Sequence, residues 1–514
     1  MGKVLAKYDI RGIQSFVFRT NKFNEIRHAS DWPEKIIKET VDKVQKKFGL
    51  KDKEDYEIID IAGGNALFLF INEDLFKRFS AKMAYYILKK TYSLKLVYAC
   101  VECTEDFYKD YTQLNKKLGK LKSSMPEACH TGAFPICRQD YLTGFPIASI
   151  NYEGNAENRK KIFYTEESKI KHVKKENEED KSKQLDDYIL GKGEDSHIAV
   201  IHIDGNNMGN TINKIINKAK YSNVNEVFSQ ISVRESFKDV CCYMEKVVEK
   251  YREMKKESKQ LILSVIRAGD DITYITRANI ALSFTKLFLK KISEKTIGSN
   301  DEEYKIHACA GIAFIKSHFP FSDAYELAEK CCVSAKNKLN DFSDGDWIDF
   351  EICRHIKNID LSGNRKKYGM TTDTEGKKAF LHMRPYCIAT ENNKNDFFDY
   401  DEFENRIMYL NGKKEMPNEG NKIIKSYNRS RSKALQQAYV DGGSAVDNFI
   451  SSSESRNYRS YNNENLFKQF TNKKDGSCSS YCVYYDAIEI MDLFDTVFCD
   501  YINKCVGGVF DEKI

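Results

Sequence analysis

Three acidic residues, drawn from two places in the chain, have the types and spacing to hold a divalent cation. Asp204 ends HIAVIHID (His197 to Asp204), an almost continuous apolar run. Asp270 and Asp271 sit together inside SVIRAGDDITYIT (Ser264 to Thr276). The four residues Ala268-Gly269-Asp270-Asp271 lie between two β-prone runs and predict a tight hairpin. Gly269 supplies the positive φ that such a turn often needs. Asp is common in turns for its local hydrogen bonds, so the pair by itself reads equally well as turn solvation. The run ending at Asp204 shifts that balance, because it predicts a buried strand within a sheet. An acid at the end of that strand, beside a hairpin tipped with two more, makes a three-carboxylate cluster. Such charges raise one another's pKa values unless a cation lies between them. Hard oxygen ligands of this kind suit Mg2+ or Mn2+.

Two further features belong to the same site. Gly205-Asn206-Asn207-Met208-Gly209 follow Asp204 and lead into a predicted helix. Small and polar residues at a strand-to-helix turn leave backbone N–H groups to point at phosphate, which makes a candidate triphosphate cradle. The stretch lacks the GKS/T ending of a Walker loop, and alone it reads as a plain turn. Pro320-Phe321-Ser322 opens another helix, with Ser322 as its candidate N-cap. Ala324, Leu327, Ala328, Cys331 and Ala335 are its buried stripe. Lys336, at the end of that stripe, either reaches a phosphate or meets the helix dipole. His202 shares a strand face with Asp204 and lines the site or packs beside it.

The elements that must position these residues occur twice. Val4 to Asp9 is a strand ending in an acid, followed by a predicted helix from Pro33 to Phe48. YEIIDIAGGNALFLFIN then carries a hairpin at Ala62-Gly63-Gly64-Asn65. A helix follows each hairpin (Glu73 to Lys90, Ala278 to Ile292), and a strand follows each helix (Leu94 to Glu102, Tyr304 to Ile315). The order β, α, hairpin, α, β predicts an α+β sandwich of ferredoxin or palm type in both copies. The first hairpin has Gly64 and Asn65 where the second has acids, so the second copy is the candidate for chemistry. Helix Phe237 to Tyr251 shows core spacing.

The chain has 514 residues, of which 41% are apolar and 31% charged, with net charge +5. That length suggests about three domains. The charge is too balanced to argue for nucleic acid. No run is long and apolar enough to span a membrane, and the start lacks a signal-peptide core, so a cytoplasmic location is expected. Fifteen cysteines without a secretion signal point to free thiols in a reducing compartment. Cys100 and Cys103 have CxxC spacing but lie in a predicted strand, whose alternating faces keep them apart. Cys129 and Cys137 flank a loop and have the residue type, though not the paired spacing, of a zinc site. The doublets Cys241-Cys242 and Cys331-Cys332 fall in helical patterns as packing residues.

The segment Asn158 to Asp195 is rich in Lys and Glu and reads as a solvated connector. Beyond Tyr368, Phe398 to Leu410 and Ile423 to Val440 predict helices, and Ser451 to Asn463 predicts a loop. The second helix mixes Arg, Lys and Tyr, which suits a solvated face and also contact with RNA or a protein. The resulting division is 1–150 (first palm, AGGN hairpin), 151–196 (charged connector), 197–365 (second palm, AGDD hairpin) and 366–514 (helical C-terminal domain).

DIRGIQSFVF (Asp9 to Phe18), AGDD at the second hairpin and SAKNK (Ser334 to Lys338) resemble the large polymerase-like subunit of type III CRISPR effector complexes. TGAFP (Thr131 to Pro135) resembles that family's degenerate zinc-loop region. The resemblance covers roughly residues 1 to 365. It implies two palms like those of nucleotide cyclases and a helical C-terminal domain. It also implies joining of ATP into cyclic oligoadenylates read by a downstream nucleotide-sensing effector, with other CRISPR-type subunits or RNA as partners. Ala268 replaces the first Gly of the family's GGDD, and Asn206 stands where many relatives have Asp. The family's HD nuclease domain has no counterpart before the first palm, so no DNA cleavage is expected.

On this reading Asp204, Asp270 and Asp271 hold two metals about 3.5–4 Å apart. Gly205, Asn206, Asn207, Met208, Gly209 and Gly269 surround the nucleotide, and Lys336 offsets charge on departing pyrophosphate. A nucleotide- or RNA-binding sensor without turnover is the alternative, and a GTP-using cyclic dinucleotide synthase is a third reading. Base preference, ring size, trigger and oligomeric state leave no mark in the sequence.

Overall fold

The computed structural model describes residues 2–19, 23–125, 138–140, 144–153, 160–171, 189, 197–231, 233–299, 302–342, 345–353, 360–388, 397–414, 425–472 and 474–506. Cys129, Cys137, the TGAFP stretch and most of the charged connector lie outside them.

Strands β1 (Val4–Arg11), β2 (Tyr56–Ala62), β3 (Asn65–Phe70) and β4 (Lys95–Glu102) form an antiparallel sheet in the order β2-β3-β1-β4. Helices Trp32–Phe48 and Glu73–Thr91 separate them in sequence. This is the ferredoxin-like βαββαβ arrangement. A short hairpin of β5 (Ser149–Glu153) and β6 (Lys160–Tyr164) follows.

The second palm repeats the order. Its strands are β7 (His197–Gly205), β8 (Ile262–Ala268), β9 (Asp271–Arg277) and, after the small hairpin β10 (Thr296–Ser299) and β11 (Glu302–Lys305), β12 (Ala308–Lys316). They pair as β12-β7-β9-β8, the first palm's order strand for strand. The expected strand Tyr304–Ile315 is therefore two: its first residues turn away into the small hairpin. The sheet continues with β13 (Asp346–Ile352), parallel to β12.

The C-terminal third is mainly helical, with helices Tyr400–Leu410, Arg429–Asp441, Gly443–Glu454, Tyr485–Ile490 and Thr496–Val506. The first residues of the stretch expected as a loop, Ser451 to Asn463, belong to the third of these. Strands β14 (Met370–Thr372) and β15 (Lys378–Phe380) precede β16 (Tyr386–Ile388), and β17 (Phe467–Thr471) and β18 (Cys478–Cys482) come later. Four of these form a separate sheet, β14-β15-β18-β17, while β16 pairs with β13 at the edge of the second palm's sheet. Strands of three to five residues carry too little alternation to be seen in sequence.

Strand β7 explains its own unbroken apolar run. Ala199, Ile201 and Ile203 enter a core shared with the C-terminal helices, while Ile198 and Val200 enter a core shared with the first palm. Both faces are buried, and each large apolar side chain so buried contributes about 1.5–3 kcal/mol. His202 and Asp204, by alternation, lie on the face toward the first palm. Among the described residues no helix is long and apolar enough to cross a membrane.

Candidate active site at the second palm hairpin

Pairing fixes where the acids stand. Ala268 pairs with Asp271 across a two-residue turn, Gly269-Asp270, and Gly269 has φ of 71°. Ile203 pairs with Ile272, so Asp204 comes level with Asp271. Asp270 leans back over β7: a Cβ added to Gly205 would lie 3.0 Å from its Oδ2 and 2.6 Å from Met208 Cγ. Gly205 is thus required by space, at the base of the acid site.

Lys336 reaches this place because its helix, Phe321–Asn337, lies directly on β12. A Cβ at Gly311 would meet the Ala328 carbonyl at 2.0 Å, so only glycine permits that approach. The helix begins at Phe321 behind Pro320 and has no side-chain cap; Ser322 instead bonds Asp323. Lys336 Nζ donates to Asp204 Oδ2 at 2.5 Å and to the Gly205 carbonyl at 2.9 Å. Burial opposes its charge, but the hydrogen bond and charge of Asp204 lift its pKa above the ordinary lysine value.

Among the described residues the remaining carboxylates have no such partner. Burial, then the charges of Asp204, Asp270 and Glu329, push Asp271 up to about 7. Burial and the charge of Asp204 also raise Asp270. Asp271 Oδ1 is buried without a hydrogen-bond donor, and so is Asn206 Oδ1. His202 Nδ1 stands 3.5 Å from Asp271 Oδ1. Burial brings His202 down to about 4, so at neutral pH it gives no positive charge. These oxygens are hard, close to like charges and short of a cation, which fits Mg2+ or Mn2+. They are not gathered as tightly as ligands on an ion. Among the described residues only His382, Asp486 and Glu489 bring three ligand-type atoms within 4.8 Å, and there Arg384 already serves as the cation, 3.2 Å from Glu489.

The expected phosphate cradle is narrower than its sequence. The Asn206 N–H donates to the His307 carbonyl and its Nδ2 to the Gly345 carbonyl. This commits Asn206 to joining β7 to the loop before β13 and removes its N–H from the cradle. Asn207 adopts a left-handed conformation and begins helix Met208–Ile216, whose first N–H groups open beside Gly205.

The first palm carries a counterpart of the lysine that the sequence reading missed. Asp9 pairs with Asn65 as Asp204 stands by Asp271, and Lys122 forms an ion pair with Asp9. Lys122 lies as far beyond the end of β4 at Glu102 as Lys336 lies beyond the end of β12 at Lys316. Equal spacing from strand end to lysine was the available signal. Lys7 occupies the place of His202 and donates to Asn115 Oδ1 at 2.9 Å. At the first hairpin a Cβ on Gly64 would lie 3.1 Å from Ile13 Cδ1, so apolar atoms crowd the space that Asp270 has in the second.

Residues 197–342 match the family model described as Cas10/Cmr2, second palm domain. No curated protein matches the chain. Among solved structures, a Csm1-Csm4 cassette in complex with cA4 aligns at 12% identity and TM-score 0.43 over 69% of this chain and 54% of that one. The apo Csm1-Csm4 cassette aligns at 13% and 0.44, over 69% and 54%. Csm1 in T. onnurineus aligns at 13% and 0.40, over 66% and 52%. The chain thus spans about half the length of the solved structures it matches. The matched segment runs from β7 through the AGDD hairpin to the helix of Lys336, so residues 197–342 are similar to the second palm domain of the Cas10/Cmr2 family.

Proposed function

We propose that the second palm transfers nucleotidyl groups from ATP, joining nucleotides 3′ to 5′ into a cyclic or linear oligonucleotide that signals in antiviral defence. The observation that carries this reading is the cation-deficient acid site: among the described residues Asp271 has a buried oxygen without a donor beside Asp204 and Asp270, and Lys336 is paired with Asp204. Asp204, Asp270 and Asp271 would hold Mg2+ or Mn2+, which when bound acidifies a ribose 3′-hydroxyl and offsets phosphate charge. The 3′-oxygen then bonds to an α-phosphorus as the bond to pyrophosphate breaks. Lys336, beside Asp204, is placed to offset charge on the departing group. The helix N-terminus at Met208 and Gly209 orients N–H groups toward the triphosphate, while Gly205 and Gly269 keep the approach open. CRISPR-type effector subunits, RNA and a downstream nucleotide-sensing effector are the partners this reading carries.

Incubating the protein with labelled ATP and Mg2+ and resolving the products tests the reading. Product that disappears in Asp270→Asn with Asp271→Asn supports it, and undiminished synthesis by that variant refutes it. A binding protein without turnover is the second reading. It is favoured by the clamp of Lys336 on Asp204 and by the loose carboxylate set. ATP or GTP bound without new product, in either Mg2+ or Mn2+, would decide for it. Product from GTP alone would mark a cyclic dinucleotide synthase.

A further inference from the structure

A cavity of about 210 Å³ opens where the second palm meets the C-terminal third. Its charged lining is entirely basic: Lys338, Arg365, Lys366, His382 and Arg384. The acids of this region lie behind that lining. Arg365 is held by Asp349 at 2.7 Å and by Glu351 at 3.0 Å, and Arg384 by Glu351 and Glu489, each at 3.2 Å. Those acids lock the guanidinium groups in place from the far side, and none of them lines the cavity.

The two lysines are different. Among the described residues neither Lys338 nor Lys366 forms an ion pair. Lys338 rests its ammonium over the Phe398 ring, 4.1 Å from the centroid, and burial lowers its pKa from the ordinary lysine value. Arg384, with a fully buried side chain, keeps Nε without a hydrogen-bond acceptor, while its Nη1 faces Glu489. The Lys338 ammonium, near the protein interior, lacks an anion, while Arg384 keeps one N–H unsatisfied.

We propose that this cavity binds a phosphoryl dianion. Two unpaired lysines match two negative charges, and the guanidinium groups beside them suit phosphate oxygens. The volume lies below the roughly 300 Å³ floor of pockets for drug-sized ligands, so a phosphoryl group fits and a whole nucleotide does not. The stacked rings of Phe380 and Tyr481, 5.3 Å apart, border the cavity and offer a surface for whatever the phosphate is attached to. The site is separate from the acid cluster, yet one helix end serves both, with Lys336 on Asp204 and Lys338 just beyond it on the cavity. The inference does not depend on nucleotidyl transfer.

Titration calorimetry of the full chain with inorganic phosphate, in EDTA so that no metal bridges phosphate to the acids, tests it. One phosphate should bind, and Lys338→Gln with Lys366→Gln should weaken it by about tenfold or more, while Lys338→Arg with Lys366→Arg retains it. Asp270→Asn with Asp271→Asn should bind as the parent does. No binding at millimolar phosphate, unchanged affinity in the glutamine pair, or loss of binding in the Asp270/Asp271 variant would each overturn the proposal. A 5′-phosphorylated oligonucleotide that binds more tightly than phosphate, with its dephosphorylated form inactive, would identify the anion as a nucleic-acid end. Equal affinity would identify free phosphate.

Discussion

His202 Nδ1 faces Asp271 Oδ1 at 3.5 Å, and neither atom has a hydrogen-bond partner. A protonated imidazole would relieve the carboxylate, but burial holds His202 near 4, below the point where Asp271 ionises, near 7. Near neutral pH the pair therefore cannot supply its own countercharge, and the deficit passes to whatever else enters the site.

Metal-free stability should fall as pH rises. The native Asp271 carboxyl titrates near 7 against an ordinary value of 3.8. Between those values the native state binds more protons than the unfolded chain, so unfolding free energy decreases with pH and levels off above about 7. Thermal melts in EDTA across that window should show the decline. Asp271→Asn should flatten it, and Mg2+ at pH 8 should restore stability to the parent only.

Lys336→Met should lower the rate of product formation by about 100-fold, the scale for one lost electrostatic contact to a transition state. Lys122→Met removes the equivalent ion pair in the first palm and should leave most activity. Equal losses in the two variants, measured with labelled ATP, would mean that both palms share the chemistry.

Gly205→Ala places a methyl group against Met208 and Asp270. The crowding should cost about 1–3 kcal/mol, seen in denaturant unfolding, and should shift Asp270 enough to reduce activity. Gly269→Ala meets no neighbour and should affect the turn through its positive φ alone.

Asp486→Ala should be severe without touching the acid site. The buried carboxylate accepts from His382, the Met383 and Arg384 N–H groups and the Tyr386 hydroxyl. Burial opposes its ionisation, but the charge of Arg384 and the His382 hydrogen bond hold its pKa well below 3.8. Its contribution is present above that unfolded value and is lost as pH falls below it. Removing it leaves the His382 ring, the Met383 and Arg384 N–H groups and the Tyr386 hydroxyl without their acceptor, at about 1–3 kcal/mol for each group left unsatisfied, readable as a lower denaturation midpoint.

The acid site was legible because its signals are local. A hairpin needs its glycine, and a strand buried on both faces needs an unbroken apolar run. The duplicated order of elements was legible for the same reason. What escaped the sequence depends on contacts across long stretches of chain. Asn206 reads as a phosphate-facing loop residue, yet its hydrogen bonds to His307 and Gly345 make it a fastener. Lys122 joins Asp9 across more than a hundred residues. The sheet of β14, β15, β17 and β18 assembles from short strands that start in one segment and finish in another, with β15 parallel to β18.

Strand β16 lies along β13, and the apolar core of the second palm runs on without a break into the helices beyond residue 400. A cut near residue 365 would bare a row of unpaired peptide groups on β13 together with the greasy flank of Phe350. Such a fragment should clump or melt instead of standing alone, so the second palm and the tail are one cooperative unit, to be engineered or expressed only together.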